Sequence, residues 1–248
     1  MSPAKKAPAV VSFEPSDFKA FEKDKWRSEA WNGDRLIVKR RLLDMGKGIE
    51  AALRAEDGAN LVVKSSLHHP YRFNAFCVSE MWTYLSRKDR SALKALFGED
   101  LGEDLDPSYQ QLLLILSIDF DGVGVALRVH PAAWWEGQNA KHAVRDAGKL
   151  AELLKLLNAL DGYVLTLHDW KKEYRCGKLF RDDLLQFFES YTPGNHWLNV
   201  RRRWPKTDPV LTSPEFLPTV IAEMRRLLPV FRFILWTEEN NHLDLRAE

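Results

Sequence analysis

The sequence predicts an α+β fold, a mixed β-sheet flanked by helices within a single domain. Three observations point there. Short β-leaning runs with alternating or continuous apolar residues recur along the chain. Two of them face each other across a turn signal, as a hairpin would. The helical patterns between strands do not alternate with them as βαβ units require. The chain has 248 residues, of which 45% are hydrophobic and 29% charged, a composition that supports a sizeable buried core. No repeat or linker divides it, so residues 1–12 read as a disordered tail and residues 13–248 as one α+β domain.

The elements follow in order. Met1 to Val11 is rich in Ala, Pro and Lys, a composition that does not pack. Ser16 is placed to cap a short helix carrying Phe18 and Phe21. Leu42, Met45, Ile49 and Leu53 recur at spacings of three and four, the signature of a longer helix. Gly46 and Gly48 weaken it, and Asp57-Gly58 ends it. Leu61 to Lys64 reads as a strand. From Phe76 to Tyr84, alternation sets Phe76, Val78, Trp82 and Tyr84 on one face with Glu80 among them. Ser86 and Asp89 resemble a capping box for a helix over Arg87 to Phe97, closed by Gly98.

Gln111 to Asp119 and Val123 to Val129 then flank Asp121-Gly122 as the hairpin. His130 to Gln138 follows a strand, and its adjacent tryptophans read equally as lining a pocket for a flat or sugar-like ligand or as loop residues folded over the core. Lys149 to Leu157 is helical, Tyr163 to His168 a strand and Asp182 to Ser190 a helix. From His196 to Trp204, Leu198 and Val200 alternate with Trp197, Arg201 and Arg203. Ser213-Pro214 opens another helix through Phe216, Val220, Met224 and Leu227. Pro229 is expected to start a separate terminal helix, Val230 to Trp236.

Several pieces of this order are similar to the bacterial YktB-like family. Ser16-Asp17-Phe18-Lys19-Ala20-Phe21-Glu22 resembles that family's opening, and Met81-Trp82-Thr83-Tyr84 after a basic loop resembles one of its strands. The closing segment, from Asp208-Pro209-Val210 through Phe216-Leu217 to Leu227-Leu228-Pro229-Val230-Phe231, resembles the same family. The resemblance implies a single α+β domain with a mixed sheet flanked by helices. The family has no assigned role, so it transfers no functional residue. The acidic stretch from Glu99 to Asp106 and the segment Trp134-Trp135-Glu136-Gly137-Gln138-Asn139 depart from its pattern.

Charge narrows the function classes. The formal net charge is +1, so the molecule as a whole has no strong field for a polyanion. Locally the balance shifts: between Trp170 and Lys206, nine basic residues face four acidic ones, a net +5. The two cysteines, Cys77 and Cys176, have no metal or redox spacing and form no disulfide framework. The apolar runs are too short to span a bilayer and no signal-peptide core follows the N-terminus. A cytoplasmic protein with no membrane partner is expected.

No motif marks a cofactor or a catalytic metal. His68 and His69 are adjacent, so in an extended chain they point apart. His130, His142 and His168-Asp169 could join one of them only through tertiary folding. No nucleophile elbow frames a serine. Cys77 sits in a strand pattern, where a small buried role fits better than a nucleophile. Glu80 on an aromatic face has either a raised pKa or a basic partner at the sheet edge.

Anion recognition has the most support. Basic side chains beside aromatics neutralise phosphates and stack bases, although arginine stems also cover tryptophan on ordinary solvated faces. The expected ligand-binding residues are His69, Arg72, Trp134, Trp135, Gln138, Lys141, His142, Arg201 and Arg203. Together they suggest a binding module whose single cleft uses the 68–73 loop, the 134–145 segment and the basic strand around Arg201 to hold an anionic ligand, either a phosphate-containing small molecule or a nucleic acid. An enzyme acting through Glu80 or a histidine is the first alternative. A scaffold that binds a protein partner through Trp134 and Trp135 is the second.

Overall fold

Seven strands form one sheet in a computed structural model that describes residues 12–65, 77–88, 111–167 and 172–243. They are β1 (Leu61–Ser65), β2 (Glu80–Arg87), β3 (Leu112–Asp119), β4 (Gly122–Val129), β5 (Val164–Leu167), β6 (Glu173–Arg175) and β7 (Leu198–Pro205). Their spatial order is β1-β2-β3-β4-β7-β5-β6. The α+β class is as the sequence predicted. The pairing, however, is antiparallel at all six interfaces rather than mixed. Strand β7 fits between β4 and β5 while running opposite to both, so no parallel crossover is needed.

The hairpin β3–β4 forms where expected. The Asp119 carboxylate accepts from the backbone N–H groups of Asp121 (2.9 Å) and Gly122 (3.0 Å). A Cβ on Gly122 would fall 2.0 Å from the Trp204 carbonyl oxygen, so strand β7 can approach only a glycine here. Leu112, Leu114, Leu116 and Ile118 of β3 enter the main core, as do Val123, Val125, Leu127 and Val129 of β4. The opposite face holds a smaller cluster of Tyr84, Leu113, Ile115 and Ala126 with Trp82 against it. Burial on both faces explains why β3 reads as a continuous apolar run.

Among the described residues six α-helices accompany the sheet: α1 (Pro15–Lys19), α2 (Asn32–Asp57), α3 (Trp134–Ala143), α4 (Ala147–Asn158), α5 (Arg181–Ser190) and α6 (Phe216–Ile234). Helix α2 buries Val38, Leu42, Met45, Ile49 and Leu53 and packs on β1, β2 and α6. Gly46 is the contact point: a Cβ there would lie 2.6 Å from Val63 Cγ2 and 2.8 Å from Thr83 Oγ1. The helix stops at Gly58, which is left-handed at φ 62°. Helix α6 packs on β3 and β4, with α3 and α4 against it and α5 against α4.

Three expectations are corrected. Pro229 does not divide the C-terminal helix, and α6 runs through it. Pro229 is exposed, so the carbonyl it leaves without an N–H partner faces water. Ser86 and Arg87 end β2 instead of starting a helix, and the Arg87 Nη1 donates to the Trp236 carbonyl at 2.8 Å. The segment beginning at Trp134 is helical rather than a loop, and it buries Glu136, Gly137, Asn139 and Ala140. Residues 1–11 of the expected 1–12 tail, the acidic stretch, the rest of the helix expected over Arg87 to Phe97, and His168-Asp169 lie outside the described residues.

Two buried polar networks tie the layers together. Arg35 of α2 is fully buried. Its guanidinium donates to the carbonyls of Lys25 (2.6 Å), Ser28 (3.0 Å) and Ala20 (3.5 Å) and to Asn32 Oδ1 (3.2 Å). It thereby ties the loop between α1 and α2 to the start of α2 and satisfies its buried carbonyls. On α6, the nearly buried Glu223 carboxylate accepts from the Tyr163 hydroxyl (2.8 Å), Arg202 Nη1 (2.7 Å) and Arg226 Nη1 (2.8 Å). This joins α6 to β7 and to the start of β5. No helix among the described residues is long and apolar enough to cross a membrane.

Candidate anion-binding site

The basic stretch of β7 divides between the two faces of the sheet. Arg202 points to the helical side, where it meets Glu223. Arg201 and Arg203 share the other face, opposite Ala126 and Gly124 of β4. Each has a carboxylate partner. Arg201 Nη2 lies 2.9 Å from Glu173 Oε1, and Arg203 Nη2 donates to both oxygens of Asp119 at 2.6 and 2.7 Å. Arg128, on the same face, donates from Nε to Asn199 Oδ1 at 2.7 Å and lies over the Trp197 ring at 5.1 Å. The two β7 arginines and their two acids cancel, which leaves no excess charge from them for a polyanion.

His130 joins this face with its ring edge-on to Trp197 at 4.3 Å. Its Nδ1 accepts from the Ala132 N–H at 2.9 Å. Burial, aided by the Arg128 charge, pushes its pKa down to about 4. At neutral pH it is therefore a neutral hydrogen-bonding group and adds no positive charge to the face.

A different cluster forms on the helical side. The end of α3, the turn into α4 and one face of α5 enclose a pocket of about 270 Å³. Lys141, Arg145 and Arg181 line it together with Glu189, and Val144, Leu150, Leu185 and Phe188 are among its apolar wall residues. The local folding explains this convergence. Arg145 sits in a tight turn whose N–H groups bond back to α3, Arg145 to the His142 carbonyl (3.0 Å) and Asp146 to that of Ala143 (3.1 Å). Asp146 then caps α4 by accepting from the Lys149 N–H at 2.8 Å. On α5, Arg181, Leu185, Phe188 and Glu189 fall at i, i+4, i+7 and i+8, which is one helical face.

The walls are held together around Tyr191. Lys141 Nζ donates to the Tyr191 carbonyl just beyond α5. The Tyr191 ring lies beneath α3, so close that a Cβ on Gly137 would fall 2.6 Å from its hydroxyl. The Tyr191 side chain is fully buried. Burial and, secondarily, the Glu136 carboxylate raise its pKa, so the phenol stays protonated. The side chains of Arg145 and Arg181, by contrast, are exposed and make no ion pair or hydrogen bond among the described residues.

Of the residues expected to bind, Lys141 alone among those described lines this pocket. His142 and Gln138 are half-buried on α3. Trp134 is 41% exposed, with its ring edge-on to Trp135 at 4.9 Å. Trp135 packs on Trp236 and Leu243 and so serves a small hydrophobic cluster. Arg201 and Arg203 lie on the opposite side of the sheet from the helical layer. His69 and Arg72 lie outside the described residues. The expected single cleft therefore does not gather the described ones among these side chains. Arg145 fell within the expected 134–145 segment without being singled out, and Arg181 was missed as a site residue, although Lys141 and Arg145 are four apart and Arg181 precedes Leu185 by the same interval.

The enzyme alternative gains little from this geometry. Glu80 is half-buried opposite Asp119 at the start of β2, with no hydrogen bond or ion pair among the described residues. No three His, Cys, Asp or Glu side chains among the described residues cluster as metal ligands. Cys176 is buried and its thiol is pushed up to about 12 by that burial, which suppresses the thiolate at neutral pH. No family model matches the chain, and no curated protein matches it.

Proposed function

We propose that this protein is a binding module for an anionic ligand, held between α3, α4 and α5 by Lys141, Arg145 and Arg181. The observation that carries this reading is the convergence of three cations on one concavity where two of them have no acidic partner among the described residues. Among the described residues Glu189 is the one acid in the wall, so the described lining carries two net positive charges. Guanidinium groups suit carboxylate and phosphate oxygens, because their planar donors can bond in pairs. A compact anion matches this arrangement better than a nucleic acid, which needs cations strung along a track. The likeness to YktB-like proteins adds no residue to this reading.

Thermal unfolding tests it directly. Wild-type protein at one hundred times the dissociation constant of an anion gains about 2.7 kcal/mol, or roughly 5–10 °C for a chain of this size. The double variant Arg145→Ala/Arg181→Ala should lose that shift, while Arg201→Ala/Arg203→Ala should keep it. An equal shift in both double variants would remove the pocket from the account.

A further inference from the structure

We infer that the ligand of this pocket is amphipathic, a compact anionic head on a short apolar body; the inference rests on the anion-binding reading above. The polar and apolar groups of the pocket are segregated by their place in the fold. Leu150, Phe188 and Val144 are 2%, 5% and 6% exposed and form its floor. Arg145, in the turn before α4, and Arg181, at the start of α5, stand exposed at the rim. Leu185 is 37% exposed, one helical turn after Arg181. A bare inorganic anion would use the rim and leave this floor against water. A purely apolar ligand would use the floor and leave both guanidinium groups unanswered.

The donor inventory fits one head group. Lys141 has one of its three N–H donors engaged by the Tyr191 carbonyl. Arg145 and Arg181 keep all their donors, since neither has a partner among the described residues. Glu189 on the same wall opposes any additional negative charge. A volume of about 270 Å³ lies just below the usual range for drug-sized ligands, roughly 300–1,000 Å³. The fitting class is a short-chain or single-ring acid, with a carboxylate or a phosphate monoester as head.

Calorimetric titration of the full chain with acetate, inorganic phosphate, hexanoate, hexyl phosphate and hexanol tests this. Hexanoate should bind about tenfold or more tightly than acetate, because its methylenes leave water for the floor. Hexyl phosphate should exceed inorganic phosphate in the same way, and comparing the two hexyl ligands identifies the preferred head. Hexanol should not bind measurably. In Leu185→Asn, a change at an exposed position, hexanoate should fall towards acetate while acetate binding persists. If acetate and hexanoate bind wild type equally, the amphipathic inference fails and the anion site stands. If none of the anions binds, the anion-binding reading fails as well.

Discussion

Replacing Arg35 with methionine should destabilise the protein by about 3 kcal/mol without touching the proposed site. The guanidinium is fully buried and bonds to three carbonyls and one side-chain oxygen between Ala20 and Asn32. Methionine preserves much of the apolar stem and removes every donor. A buried acceptor stranded in this way costs about 1–3 kcal/mol. Ala20 is fully buried and bears that cost at its upper end. Lys25 and Ser28 are half-buried residues, so water relieves part of theirs, and the Lys25 carbonyl keeps the Ser28 N–H at 2.8 Å. Relief from desolvating the guanidinium offsets a further part. The remaining 3 kcal/mol corresponds to a fall in Tm of about 6–12 °C for a chain of this length. Circular dichroism melts of wild type, Arg35→Met and Arg35→Lys would measure it. Lysine keeps the charge but lacks the fork that spans three carbonyls, so it should recover only part of the loss. An Arg35→Met variant within 0.5 kcal/mol of wild type, a threshold typical of neutral surface changes, would refute the reasoning.

Further consequences can be checked on the same melts. Gly46→Ala should destabilise by about 1–2 kcal/mol despite a gain in helix propensity of up to about 1 kcal/mol. The reason is that Thr83 Oγ1 is tied to the Lys64 carbonyl at 2.8 Å and cannot swing aside. Gly33→Ala, in the same helix with nothing within 4 Å of the added methyl, should be neutral or slightly stabilising. Glu223→Gln should cost about 2 kcal/mol, because two arginines lose their shared charge partner while remaining partly hydrated. His130 should titrate near pH 4 by NMR. With its folded pKa depressed, the unfolded chain binds more protons between about pH 6.5 and 4. The stability associated with His130 is therefore complete above that window and declines as pH falls through it. A His130 pKa near 6.5 would contradict the burial that the fold assigns to it.

The elements were legible wherever one periodicity dominated. The β3–β4 hairpin, β7 and the Leu42-to-Leu53 stripe carry their own pattern, and Asp57-Gly58 carries its own stop. Pro229 misled because a proline rule cannot tell whether the freed carbonyl faces core or water, which only packing decides. The segment from Trp134 to Asn139 looked like a loop since its helical face is built from Glu136, Gly137 and Asn139, polar or small residues. Gly137 is there because Tyr191 approaches it closely, a contact between positions far apart in the chain. The site was the least legible part. Strand alternation correctly put Arg201 and Arg203 on one face, but their partners Glu173 and Asp119 come from other strands. Lys141, Arg145 and Arg181 meet only through the packing of three helices.

The central claim is that Arg145 and Arg181 hold an anion, and guanidinium NMR during a hexanoate titration tests it most directly. The Nε–H resonances of Arg145 and Arg181 should move saturably together, while those of Arg201 and Arg203 stay fixed in their carboxylate pairs. Saturable movement of Arg201 and Arg203, with Arg145 and Arg181 unmoved, would place the anion on the sheet face and contradict the account.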